Sequence, residues 1–184
     1  MKLLLHMCCA PCAAAIVKKL NADETIQTEG FFYNPNIHPI EEFEKRKSQV
    51  ANLSESYNLP VIIDEAYEED FWRKTFSDKS RCLYCYYTRL DKTAEIASKQ
   101  GFEAFTTTLL ISPYQNHELI YEQGRRAAEK FNICFYYEDF RTLYHTGRQL
   151  SRAKGYYMQK YCGCFFSYSE SHHPKKPIYF KDEL

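Results

Sequence analysis

The chain has 184 residues, enough for one α/β domain with a substantial core and too many to depend on disulfide staples. Hydrophobic residues make up 45%, and no run approaches the roughly 20 apolar residues that span a bilayer, which excludes a disordered polymer and a membrane helix. Lys+Arg and Asp+Glu are both 24, but residues 140–184 carry eight Lys/Arg against three acids, a local balance of +5 that suits a phosphate backbone as well as an ordinary solvated surface.

In chain order, KLLLHM (2–7) is a short apolar run that reads as a buried strand, and APCAAAIVKKL continues it as a helix. EGFFY (29–33) is a second strand, stopped by Asn34-Pro35-Asn36, and Pro39 opens a helix over 40–57. PVIID (60–64) is a third strand. A polar stretch then leads to Cys82 and Cys85, and a helix runs from Tyr86 to Lys99, closed by Gly101. FEAFTTTLL (102–110) is a fourth strand, and Ser112-Pro113 reads as the cap of a helix that reaches Phe131. NICFYY (132–137) is a fifth strand; beyond it the chain reads as helical and then irregular.

Alternating strands and helices imply an α/β fold: a parallel sheet of about five strands with helices on both faces, and an irregular C-terminal segment. We read residues 1–184 as a single domain, with 65–100 as a small helical insertion or subdomain that carries the CxxC pair. Ligands of such sheets sit at the carboxyl ends of the strands. There the sequence places Cys8 and Cys9, then Asn34, Asn36 and His38, then Asp64, then Leu110–Pro113.

The two chain ends carry strings with other meanings. MKLLLHMC resembles a lipoprotein signal, but its charged region is one Lys and His6 cuts its apolar run, so a buried strand is the better reading. The last four residues, KDEL, match a retention signal of the endoplasmic reticulum; with no accompanying export signal we read the match as coincidental and the chain as cytoplasmic, with no membrane partner.

The eight cysteines carry the chemistry. They fall as CC-x2-C (Cys8, Cys9, Cys12), C-x2-C (Cys82, Cys85) and C-x-C (Cys162, Cys164), with Cys134 alone in the fifth strand, where it reads as a buried small hydrophobe. Tight clusters far apart in sequence point to metal binding or redox-active thiols in a reducing compartment. Seven clustered thiols exceed one tetrahedral zinc and suit an iron–sulfur cluster with a further metal, or with reactive thiols. A structural zinc with an inert CC pair, a zinc-bearing thiol oxidoreductase, an RNA-binding module with a structural metal, and a sulfur-transfer enzyme remain as alternatives. The loop after the first strand has no glycine to cradle a phosphate, which argues against ATP. Asp139-Phe140-Arg141 offers a metal-binding carboxylate, a phosphate-binding Arg141, or a plain surface ion pair.

Six segments, LHMCCAPC, FFYNPNIHP, RCLYCYYTRL, FTTTLLISPYQ, DFR and QKYCGCFFS, lie in order over residues 4–167 and together resemble the cobalamin-independent epoxyqueuosine reductases, the QueH family. The resemblance implies the last step of queuosine biosynthesis: two-electron deoxygenation of the epoxide of epoxyqueuosine at the tRNA wobble position. It implies a sheet like that of the HUP-fold (adenine-nucleotide-hydrolase-like) tRNA-thiolating enzymes, a 4Fe–4S cluster and a mononuclear iron, with no cobalamin and no ATP. Cys8, Cys9, Cys12, Cys82, Cys85, Cys162 and Cys164 would then hold cofactor and metal, and Cys8, Cys9, Cys162 and Cys164 would stand closest to catalysis. Asn34, Asn36, His38, Ser112, Tyr114 and Arg141 are the candidate substrate contacts. The partners would be tRNA, held with the help of Lys154 and Lys160 and stacked on Tyr114, Tyr156, Tyr157 or Tyr161, and an external low-potential donor of the ferredoxin or flavodoxin type.

Overall fold

The computed structural model describes residues 1–75 and 80–172. Its core is a five-stranded, wholly parallel sheet built from β1 (Lys2–His6), β2 (Gln27–Tyr33), β3 (Val61–Asp64), β4 (Ala104–Thr107) and β5 (Cys134–Phe135), in the order β3-β2-β1-β4-β5. Leu3, Leu4 and Leu5 are all fully buried, because a central parallel strand is covered on both faces. Seven helices accompany the sheet among the described residues: α1 (Ala10–Asn21), α2 (Ile40–Tyr57), α3 (Glu69–Thr75), α4 (Arg81–Lys99), α5 (His117–Phe131), α6 (Tyr144–Ala153) and α7 (Phe165–His172). α1 packs with α2 and α6 on one side; α4 packs with α5 and against β1 and β4 on the other. No helix among the described residues is long and apolar enough to cross a membrane.

Several boundaries differ from the sequence reading, each for a local reason. β4 stops at Thr107, whose Oγ1 accepts the Leu109 N–H and turns the chain into a 3₁₀ helix over Thr108–Ile111. α5 starts at His117 rather than at Ser112-Pro113, because the Asn116 side chain accepts the Leu119 N–H at 3.0 Å and is the true cap. α4 begins at Arg81, so Cys82 and Cys85 lie within the start of the helix instead of ahead of it. β5 pairs over only two residues at the sheet edge, which leaves Cys134 exposed where burial was expected. Gly101 does follow the end of α4 with φ +75, the conformation a helix terminator needs. The KDEL string lies outside the described residues.

β1 has β2 on one side and β4 on the other, so the chain leaves it in opposite directions and a crevice opens beyond its carboxyl end. The loop from Met7 to Cys9 enters that crevice. It is anchored by the Met7 N–H to Phe31 O at 2.8 Å and by Asn34 Nδ2 to Met7 O at 2.9 Å.

Candidate functional site

The first thiol cluster is set by the geometry of one turn. Cys9 has extended backbone as the cap of α1, Pro11 stands in the first turn, and Cys12 follows within it. This brings the Sγ atoms of Cys8, Cys9 and Cys12 within 4.8 Å of one another, with Cys8 and Cys9 buried and Cys12 half-buried. Cys8 N donates to Thr108 Oγ1 at 3.1 Å, and that hydroxyl donates onward to Cys8 Sγ at 3.3 Å. Gln159 Nε2 approaches Cys9 Sγ at 2.9 Å and Cys12 Sγ at 3.7 Å. The Gln159 Oε1 atom is buried with no partner among the described residues, an acceptor on the amide that approaches Cys9 and Cys12. Hydrogen bonds from Cys12 and Cys9, aided by Arg89, hold the Cys8 thiol well below the ordinary thiol range, whereas burial raises Cys9 and the Cys8 thiol raises Cys12. Within the trio, Cys8 is the thiol that its surroundings shift toward the thiolate, the form that ligates metal.

The other four clustered cysteines come from α4 and from the loop before α7. Asn36 Nδ2 donates to Cys85 Sγ at 3.4 Å, Gln115 Nε2 donates to Cys162 Sγ at 3.3 Å, and Cys164 Sγ accepts the Ser167 N–H at 3.5 Å. Burial raises Cys82, Cys85 and Cys162, and pushes Cys85 to about 12. Among the described residues these four are not gathered as tightly as the first trio.

Two buried arginines tie the sets together. Arg89 donates through Nε to Asn36 Oδ1 at 2.8 Å; burial opposes its charge, but the Cys85, Cys8 and Cys162 thiols more than restore it. Arg46, 1% exposed, pairs with Glu42 at 2.7 Å and donates to Cys162 O at 2.8 Å and to Tyr161 O at 3.0 Å. Gly163 fits beneath this clamp at φ +141, where an added Cβ would lie 3.1 Å from Arg46 Nη1 and 3.2 Å from Ile37.

A cavity of about 610 Å³ opens over this floor. Cys8, Cys12 and Cys162 line it, together with Arg46, Arg89, Arg148 and Lys160, and among the described residues no carboxylate does.

The sequence-predicted contacts divide sharply. Ser112 and Tyr114 line the cavity. Asn34 is buried beneath the Met7 loop and Asn36 bridges Cys85 and Arg89, so both position the floor from below. His38 is 1% exposed, with Nε2 on Pro35 O and Nδ1 accepting the Phe165 N–H, and burial lowers it to about 4. Arg141 lies away from the cavity in an exposed pair with Asp139, the plain alternative. Of the tyrosines, Tyr156 is core, Tyr157 donates to Glu42 and Tyr161 to His38 O, and Tyr114 stands 82% exposed. Lys160 faces the cavity, while Lys154 lies over the Tyr57 ring. Arg46, Arg89, Gln115, Tyr144, Arg148 and Gln159 were not singled out from sequence, although Arg89, Gln115 and Gln159 stand inside the segments RCLYCYYTRL, FTTTLLISPYQ and QKYCGCFFS.

Fold and site define a parallel α/β protein with a thiol-floored, cation-lined cavity at the topological switch point of its sheet. The family model described as "Epoxyqueuosine reductase QueH" matches residues 3–170. The epoxyqueuosine reductase QueH of Thermotoga maritima is 36% identical over 178 residues, covering 91% of this chain and 90% of the relative. That of Dehalococcoides mccartyi is 34% identical over 179 residues, covering 96% and 98%. Among solved structures, the U34-tRNA thiolase NcsA from Methanococcus maripaludis with its 4Fe–4S cluster matches with a TM-score of 0.43 at 12% identity, covering 89% of this chain and 76% of that one. The chain belongs to the epoxyqueuosine reductase QueH family and is an oxidoreductase.

Proposed function

We propose that this chain removes the epoxide oxygen of epoxyqueuosine at the wobble position of tRNA, consuming two electrons and two protons and releasing water and the cyclopentene. The family membership supports the substrate, and the observation that carries the chemistry is the trio of Cys8, Cys9 and Cys12 thiols within 4.8 Å at the switch point, under a cavity that also holds Cys162. The donor set fits an iron centre: clustered thiols, one of them depressed toward thiolate, with a buried unpartnered amide oxygen beside them. In this reading Cys8, Cys9, Cys12, Cys82, Cys85, Cys162 and Cys164 hold a 4Fe–4S cluster and a neighbouring iron. When bound, these supply single electrons and a Lewis acid for the epoxide oxygen.

The chain's own side chains would do the rest. Arg89 and Arg46, buried beneath the thiols, would balance the negative charge of several thiolates in a site with little water. The Gln159 and Gln115 amides would orient thiols by donating to sulfur from outside the ligand set. Ser112 and Tyr114 would meet the substrate, and Lys160 a phosphate of the anticodon loop. Cys9 and Cys164 would act as ligands rather than as a thiol pair in turnover. The loop between β1 and α1 has cysteines where a phosphate cradle has glycines, consistent with no use of ATP. Two electrons per turnover call for an external low-potential carrier of the ferredoxin or flavodoxin type, and a thiolate-rich centre suits the reducing cytoplasm.

The test is the chain purified without oxygen. About five irons and about four sulfides per chain, the content of one cluster and one iron, with deoxygenation of epoxyqueuosine tRNA by a chemical reductant, is the expected result. A colourless protein with one zinc that stays inactive after iron and sulfide reconstitution would overturn the reading.

A further inference from the structure

We infer that the rim of the thiol cavity is a stacking and phosphate-binding subsite for a single-stranded nucleotide, with Tyr114 as the base platform and Arg148 and Lys160 as its phosphate contacts; this rests on the proposed tRNA substrate. Three observations carry it. Tyr114 is a large aromatic left 82% exposed at the mouth of a cavity floored by Cys8, Cys12 and Cys162. Its ring meets Tyr144 edge-to-face at 6.0 Å and 80°, an arrangement that uses at most one face of either ring. Tyr144 is itself braced, by His145 at 5.5 Å and by Arg148, whose guanidinium lies 5.7 Å from the ring with Nη1 3.5 Å from the hydroxyl. The platform is therefore supported from behind while its outer ring faces the cavity mouth.

Charge points the same way. Some surface cations are neutralised within the chain, as Arg125 is by Glu129 and as Arg126 and Lys130 are by Asp91, but these do not border the cavity. Among the described residues neither Arg148 nor Lys160 is ion-paired, and no carboxylate lines the cavity they border. Uncompensated cations beside an aromatic ring fit a ligand with both a π-face and a negative charge, and a stacked nucleotide has both. The cavity volume of about 610 Å³ accommodates one nucleoside with room for its approach to the thiol floor.

The experiment measures binding of a fluorescent anticodon stem-loop carrying epoxyqueuosine to the full chain, purified without oxygen, over a salt series. Loss of a stacked base corresponds to about 5- to 150-fold weaker binding. Tyr114→Ala is expected in that range, Tyr114→Phe within twofold of the parent chain, and Arg125→Ala, distant from the cavity, unchanged. Arg148→Ala with Lys160→Ala should lower the slope of log K against log salt by about 1.4, the release of two counterions from a single strand. Circular dichroism of each variant checks that the fold is retained. If the parent chain deoxygenates the stem-loop while Tyr114→Ala binds within twofold and the double variant keeps the parent salt slope, the subsite is wrong and the functional reading stands. If the parent chain neither binds nor deoxygenates it after reconstitution, the functional reading falls and the subsite with it.

Discussion

Replacing Arg46 by Met tests whether the Cys162–Cys164 loop is held by one buried charge. Arg46 is 1% exposed and Glu42 6% exposed, and their ion pair is 2.7 Å long. The substitution leaves the Glu42 carboxylate with the Tyr157 hydroxyl at 2.7 Å, and takes the donor from the carbonyls of Tyr161 and Cys162. Removing one partner of a buried pair costs about 3–5 kcal/mol, because the other charge remains buried. The two carbonyl bonds overlap with that penalty rather than adding to it in full, so about 3–5 kcal/mol is the expected loss, a large part of the roughly 5–15 kcal/mol of a typical domain. Urea unfolding of the reduced, metal-free chain reads this as a lower midpoint at unchanged m-value. Arg46→Met combined with Glu42→Met removes the stranded charge and should recover part of the loss. A single-variant loss below about 1 kcal/mol, or a double variant no more stable than the single, would refute the clamp.

Gln159→Ala removes the amide that approaches Cys9 and Cys12, and should weaken cobalt(II) binding to the thiol trio about 10- to 100-fold, read from its thiolate charge-transfer absorption. Gly124→Ala would place a Cβ 2.2 Å from the Phe135 ring, and should destabilise by about 1–3 kcal/mol in thermal unfolding, with partial rescue by Phe135→Leu. Burial lowers His38 from 6.5 to about 4, so the unfolded chain binds its proton first; stability is full above about pH 6.5 and falls as pH drops toward 4, at up to about 1.4 kcal/mol per pH unit. His38→Gln should flatten that part of a pH-stability profile.

The strand order could not be read from the alternating pattern, which gives parallel strands but not their neighbours. Element types were legible where periodicity was long, as in α2, whose range matched the expected 40–57. They were not legible where a single side chain redirects the backbone. Thr107 ends β4 early, and Asn116 outcompetes Ser112-Pro113 as a cap, because local side-chain bonds outweigh the apolar run that suggested a longer strand. Cys134 misled because burial of a cysteine in a strand presumes flanking strands, and β5 is an edge. At the site, the cysteines were visible because seven of the eight fall in three tight clusters of a residue type that binds metal; the arginines were not. Arg46 sits in EKRKSQ, indistinguishable from a solvated helix face until Glu42 and the Cys162 loop close over it.

Those two arginines also bear on why thiols occupy this crevice. A buried guanidinium does not lose its proton and must find negative charge. Arg46 finds Glu42, but Arg89 donates to a neutral amide, Asn36. What offsets its burial is the nearness of Cys85, Cys8 and Cys162, drawn from three separate segments of the chain, whose sulfurs balance it once they ionise. α1, whose cap is Cys9, adds the positive end of a twelve-residue helix close to the same sulfurs. The arrangement therefore sets a fixed positive charge beside thiols that burial holds up at Cys85 and Cys162, ready to balance them when they ligate metal, in a place where a nucleotide-binding sheet would bring a phosphate to the helix terminus. Substituting Arg89 by Met should accordingly weaken metal uptake by thiols it never touches in sequence, more than it disturbs the sheet; equal zinc affinity in Arg89→Met and the parent chain would show that the sulfurs need no such counter-charge.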